Sequence, residues 1–444
     1  MQASRLLATV ATVAAVVFAA TREVASKADS MPPFWGERSV ARSEIGSIFA
    51  YPPRGVAWSD FGAYVGVAGS EYFGKMSDDA LKIEQGRFQH VQPDDDQCCS
   101  FFPYSQFKEF DAQEVARGRP PLFVTATYQG KKRPVYFAWS LDLHGGDIPT
   151  TPRHTWMQAV DVSSDRYLDF WVNQYVRGRL WHHRRVSSNW WIGLDNCAFM
   201  WELYGVIDDN GHFVSGVPWD PPFARNSEEF LGSIKQFFRK LKQVAPDIKV
   251  MCNVGSVKDP AQFQSLFADV PGIMEENISE PNPLEYARRK QHEELDFLSW
   301  FGARGGVAVL RAIVPQPVNA EQLRTACALY WLVRGPNFFF DPEADKSEYT
   351  LPPDRYAEMR SALGQPAARM RYEPDTGKGN AYELYSRLYQ RGIVYVNWTG
   401  KPQPITLPAD RHYFSPNGQA IKALTLPDLA GTYVTTDRPV SASR

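Results

Sequence analysis

The chain has 444 residues, of which 44% are hydrophobic, 14% aromatic and 22% charged, a globular composition with enough apolar material for a sizeable core. Its 48 Lys and Arg nearly cancel its 50 Asp and Glu, for a net charge of −2. No basic excess is present to neutralise phosphates, so nucleic acid is not an expected partner. At about 150 residues per domain the length allows up to three domains, although one α/β barrel absorbs about 250 residues by itself. The 33 Pro suit a loop-rich enzyme, and the 13 Trp suit either a large core or a surface on which sugar rings stack.

In chain order, Arg5 precedes the uncharged apolar run Leu6–Ala20, which ends in small residues. This is the pattern of a signal peptide, with cleavage expected near Val17-Phe18-Ala19 or Val24-Ala25-Ser26. The run is short for a membrane span, which takes about 20 apolar residues. A buried apolar helix or an uncleaved anchor is the competing reading. Residues 1–26 therefore read as an export signal into a secreted or periplasmic location, and 27–45, with Pro32 and Pro33, as a linker. No later segment is long and apolar enough to cross a bilayer, so no stable span is expected after cleavage.

From 46 to about 345 strand-like runs alternate with helix-like ones. Phe88–Gln92 and Pro121–Thr127 read as strands, and Gly130-Lys131 as a hairpin turn. Ser163 or Ser164 caps a helix with an aromatic face of Tyr167, Phe170, Trp171 and Tyr175. Trp190–Asp195 is a strand ending in a carboxylate. Asn226 or Ser227 opens a helix whose stripe is Phe230, Ile234, Phe237, Phe238 and Leu241. Strands follow at Ile248–Asn253 and Gly272–Glu276, a charged helix from Pro283 to Phe301, a strand at Gly306–Val314, a helix at Glu321–Val333, and a strand from Asn337 to Asp341 closed by Pro342. Such alternation requires parallel pairing through helical crossovers. A (β/α)8 TIM-like barrel over 46–345 is the expected fold. A doubly wound open sheet is its rival, weakened because no G-x-G-x-x-G or Walker-type loop follows any strand. Over 370–440 short strands spaced by turns (382–389, 392–397, 403–407, 420–424 and 431–434) predict a small C-terminal antiparallel β-sandwich.

Three strands finish on polar residues: Asp195, Asn253, and the Glu275-Glu276 pair. A parallel barrel builds its site at these carboxyl ends, and a carboxylate there costs desolvation unless it has a task or a partner. Two facing carboxylates are the minimum apparatus for cleaving a glycosidic bond. Neighbours on a strand face opposite ways, so at most one of Glu275 and Glu276 lies in the mouth. Asn253, Asp161 and Asp341 are candidates to hold sugar hydroxyls, and Trp191 and Trp201 to stack on rings; each also has a plain structural reading as turn or core. The five cysteines show no zinc-site spacing, Cys252 and Cys327 read as small core residues, and adjacent His182 and His183 make a poor ligand pair. Neither metal nor cofactor is expected. The sequons at Asn277 and Asn397 read as incidental.

The string Trp191-Ile192-Gly193-Leu194-Asp195-Asn196 resembles a strand motif of (β/α)-barrel glycoside hydrolases. Gly272-Ile273-Met274-Glu275-Glu276-Asn277 resembles a second, with Pro271 where those enzymes carry Asp. Asp161-Val162-Ser163-Ser164 and Arg391–Thr399 resemble two more. Over roughly 160–430 the chain is similar to the hypothetical glycoside hydrolase-like family 15, and more loosely to the endo-α-1,4-polygalactosaminidase family. The resemblance implies Asp195 as nucleophile or base on the fourth strand and Glu276, not Glu275, as general acid on the sixth. It implies a poly- or oligosaccharide as substrate. A non-catalytic carbohydrate-binding or surface protein on the same barrel is the alternative.

Overall fold

The computed structural model describes residues 47–50, 65–69, 88–91, 104–137, 158–180, 190–194, 201–254, 264–266, 269–270, 272–275, 278, 285–344, 351, 357–359, 363–374 and 383–436. The expected signal, linker, Asp195 and Glu276 lie outside these residues, and so does His182-His183.

Eight strands close into a ring: β1 (Ser47–Ala50), β2 (Val65–Gly69), β3 (Phe88–Val91), β7 (Trp190–Leu194), β10 (Val250–Asn253), β11 (Gly272–Glu275), β12 (Val307–Val314) and β13 (Phe338–Ala344), which returns to β1. Every neighbouring pair is parallel. Parallel neighbours cannot be joined by a tight turn, and four helices supply described crossovers. α2 (Asp165–Asp169, running on as π-helix over Phe170–Leu180) precedes β7, and α3 (Ser227–Val244) precedes β10. α4 (Glu285–Ala303) and α5 (Ala320–Val333) precede β12 and β13. The caps follow from side chains: Ser164 accepts from the Arg166 amide and Asn226 from the Glu229 amide, while Glu229 reaches back to the Arg225 amide at 2.8 Å. The predicted stripe of α3 is buried throughout.

Two excursions, after β3 and after β7, combine into a side lobe. It holds α1 (Tyr104–Ala116), the hairpin β4 (Thr125–Tyr128) and β5 (Lys131–Pro134), and a sheet of β6 (Tyr136–Phe137), β8 (Tyr204–Ile207) and β9 (Phe213–Ser215). The turn of β4–β5 puts Gln129 and Gly130 at φ 50° and 73°, the left-handed pair that a two-residue hairpin turn demands. The apolar run before Gly130 is thus part of this lobe and not of the ring. The early ring strands are the short β1 and β2, which carry no long apolar run.

The eighth strand also differs from expectation: it continues through Pro342 to Ala344. Pairing with β1 ends at Ile48 opposite Phe340, while pairing with β12 goes on to Val314 opposite Ala344. Beyond Phe340 the strand behaves as an edge among the described residues, and an edge tolerates a residue without N–H.

The C-terminal region is antiparallel. β14 (Arg371–Pro374), β15 (Glu383–Tyr389), β16 (Gly392–Asn397), β21 (Ala430–Thr436), β18 (Tyr413–Phe414) and β19 (Ala420–Ile421) form one sheet in that order, and β17 (Gln403–Thr406) with β20 (Ala423–Leu426) a second. Ile393, Tyr395 and Val434 of the larger sheet share a small core with Ile405 and Leu426 of the smaller. Asn397 is fully buried, and its amide donates to the carbonyls of Lys401, Leu426 and Pro427, so this sequon is a structural knot and no glycan acceptor. The larger sheet lies on α5, whose residues from Thr325 to Val333 are all buried. Cys327 on that helix and Cys252 in β10 are buried free thiols. Among the described residues no helix is long and apolar enough to cross a membrane.

Candidate active site at the carboxyl ends of the strands

Register and alternation sort the ring's side chains into two sets. Cys252, Ile273, Ala308 and Phe338 lie in register across β10 to β13, as do Leu310 and Phe340 two residues further along β12 and β13. All six are buried in the core shared with the helices: Phe338 is 6.4 Å from Phe301 of α4, and Phe340 stacks at 4.8 Å on Tyr330 of α5. The alternate set, Met251, Met274, Val309 and Phe339, is also buried but outside that shared core. Strand neighbours face opposite ways, so this second set fills the lumen.

Towards the carboxyl ends the lumen set turns polar. Asn253 is in register with Met274, and Arg311 with Asp341; Glu343 follows Asp341 two residues on. Asn253, Asp341 and Glu343 are buried. Asp341 and Glu343 share one face of one strand, about 6.6 Å apart along it at roughly 3.3 Å per residue. Arg311 is ion-paired with Glu343, which offsets the repulsion of two carboxylates so placed. The backbone closes round the group: the Ile278 amide donates to the Arg311 carbonyl at 3.0 Å, and the Val254 amide to that of Met274 at 3.0 Å. Val254 and Ile278 are thereby held against β11 and β12. A set with an amide, a guanidinium and two acceptor carboxylates is suited to fixing the hydroxyls of a polyol.

The sequence-predicted residues divide. Asn253 and Asp341 belong to this lumen set. Asp195 and Glu276 are the next residues after β7 and β11 and lie outside the described residues, as does the side chain of Trp191. Glu275 is on the helix-facing parity, in register with Leu310, and fully buried.

Two candidates have structural partners of their own. The Asp161 carboxylate accepts from the amide and hydroxyl of Ser163 at 3.0 and 2.6 Å; it shapes the turn that launches α2. Trp201 is 6% exposed, with Trp219 at 4.9 Å and Phe230 at 5.8 Å. It is core of the side lobe, not a stacking platform. Arg311 and Glu343 were not anticipated. The signal for Arg311 was a lone charge inside Val307–Val314; Glu343 was hidden by reading Pro342 as a stop. Among the described residues no cluster of His, Cys, Asp or Glu is arranged to hold a metal.

No protein-family model matches the chain, and no curated protein matches it. Solved structures do match in part. MutB in complex with glucose aligns at 11% identity and a TM-score of 0.45, over 92% of this chain and 100% of that one. The GH36 α-galactosidase AgaB from Geobacillus stearothermophilus gives 11% and 0.39, over 91% of this chain and 53% of that one. An Anoxybacillus α-amylase gives 12% and 0.30, over 48% of this chain and 57% of that one. The chain thus spans little more than half the length of the amylase and the galactosidase. At these scores the likenesses assign neither family nor substrate to this chain.

Proposed function

We propose that this chain is an exported glycoside hydrolase that cleaves O-glycosidic bonds of an oligo- or polysaccharide with Asp195 and Glu276. One observation carries the reading: polar side chains on the lumen parity at the carboxyl ends of the fifth, seventh and eighth strands of a parallel ring, where barrel enzymes build their sites. Leu194 is in register with Cys252; the residue after Cys252 is the lumen-facing Asn253, and the residue after Leu194 in sequence is Asp195. Glu276 is the next residue in sequence after the helix-facing Glu275, as Asn253 is after the helix-facing Cys252. In this proposal Glu276 protonates the leaving oxygen, Asp195 attacks the anomeric carbon or activates water, and Asn253 and Asp341 orient the sugar. The motif likeness to the hypothetical glycoside hydrolase-like family 15 belongs to the same reading.

The test is a hydrolysis screen on oligo- and polysaccharides with the full chain. Asp195→Asn and Glu276→Gln are each expected to lower turnover by a factor of at least about 10² through loss of acid–base assistance. Unchanged turnover in both variants overturns the mechanism; saccharide binding without turnover favours the non-catalytic carbohydrate-binding alternative. Export is checked separately by the mass of protein recovered outside the cytoplasm, which should begin between residues 20 and 27.

A further inference from the structure

His292 lies on α4 and is 6% exposed. Its Nδ1 is 2.7 Å from Glu383 Oε2 and 2.7 Å from Tyr385 Oη on β15, and its Nε2 is 3.3 Å from Asp296 Oδ2 one turn along α4. Tyr372 of β14 meets the ring edge-on at 5.1 Å. Glu383 and Tyr385 are each 1% exposed. Each ring nitrogen therefore faces a carboxylate. Ionised carboxylates only accept hydrogen bonds, and only imidazolium donates from both nitrogens. A neutral ring would set a lone pair against one of the two.

We propose that His292 is a proton-operated latch: as imidazolium it ties α4 to the β14–β15 edge of the C-terminal sheet, and its deprotonation loosens that seam while the contact on α5 holds. The groups facing the ring among the described residues are Glu293 and Asp296 from α4, Glu383 and Tyr385 from β15, and Tyr372 from β14. Burial pulls the imidazolium down, but Glu383, Asp296 and Glu293 outweigh it, and the balance is a raised value. Burial, foremost, also raises Asp296. The sign follows. A histidine raised on folding contributes stability below its ordinary value of about 6.5 and loses it as pH rises through the folded value. An aspartate raised on folding likewise favours the docked state at lower pH.

The experiment uses the full chain. The imidazole resonances are titrated by NMR, with His292 assigned by its disappearance in His292→Gln. Amide exchange in α4 and β14–β15 is compared between about pH 5.5 and 8.5, with α5 and β21 as internal reference for the intrinsic rate. Expected are a His292 midpoint above about 6.5 and a selective loss of protection on the β14–β15 side at high pH, about tenfold for each unit by which the midpoint is raised. Glu383→Gln, which keeps shape and removes charge, is expected to move the midpoint down and flatten the difference; it serves if His292→Gln fails to fold. A midpoint at or below about 6.5, or protection that changes equally at both seams, overturns the latch.

Discussion

The C-terminal sheet meets the barrel layer along two seams of opposite character. At α5 the contact is apolar and close: Trp331 meets Tyr433 edge-on at 5.1 Å, and the Gly431 amide donates to Thr325 Oγ1 at 3.0 Å. Arg387 closes that seam by donating to the carbonyls of Trp331, Leu332 and Arg334 at the end of α5, where the helix dipole is negative. At α4 the contact is a buried histidine among carboxylates and tyrosines. The first kind of seam depends on shape and is indifferent to protons. The second repays its desolvation only when charge and geometry are both right. One sheet is thus held by a permanent weld on one helix and a conditional bond on the next.

The largest effect should come from breaking the weld. Trp331→Ala removes a fully buried indole and is expected to cost about 3–5 kcal/mol, measured by denaturant unfolding, with the C-terminal sheet losing exchange protection first. Gly431→Ala comes next. A Cβ there would stand 2.8 Å from Ala328 Cβ and 3.0 Å from Thr325 Cα, and backbone cannot swing aside, so about 1–3 kcal/mol of overpacking strain is expected. Tyr385→Phe is the smallest. Losing one hydroxyl beside His292 and Glu383 should cost about 1–2 kcal/mol. That loss should shrink as the pH rises and His292 deprotonates, whereas the two weld variants should show no such pH dependence. If Tyr385→Phe proves as costly as Trp331→Ala, the contrast between the seams fails.

What was legible in the sequence follows from how much local signal each element carries. α3 announces itself by its cap and its stripe of Phe230, Ile234, Phe237, Phe238 and Leu241, and β16 by the run Gly392–Asn397. β2, with Val65–Gly69 containing two glycines and one alanine, has no such signature; only its pairing with β1 and β3 defines it. The run before Gly130 was strand-like, but its place off the ring is decided by antiparallel partners that no local pattern reveals. The burial of Asn253 at a strand end and of Asp341 within a strand is legible as polar residues on otherwise apolar runs; their role stays with the proposal. At Asp161 the string Asp-x-Ser serves a turn. Trp201 misled because it faces other rings, as the described indoles do. The ion pair of Arg311 and Glu343 depends on register between β12 and β13, which is a tertiary fact.

α5 has one face against β13 and the other against β16 and β21, through Tyr330 on Phe340 and Trp331 on Tyr433. During vectorial synthesis the eight ring strands have all emerged from the ribosome once Ala344 is out, yet the outer face of α5 is fully covered only after β15, β16 and lastly Ala430–Thr436 have followed. In that interval the nascent barrel displays Trp331 and its apolar neighbours to solvent, a patch of the kind that recruits holdases or pairs with other chains. The C-terminal sheet is in this sense the last-made cover of a surface that the ring alone would leave open.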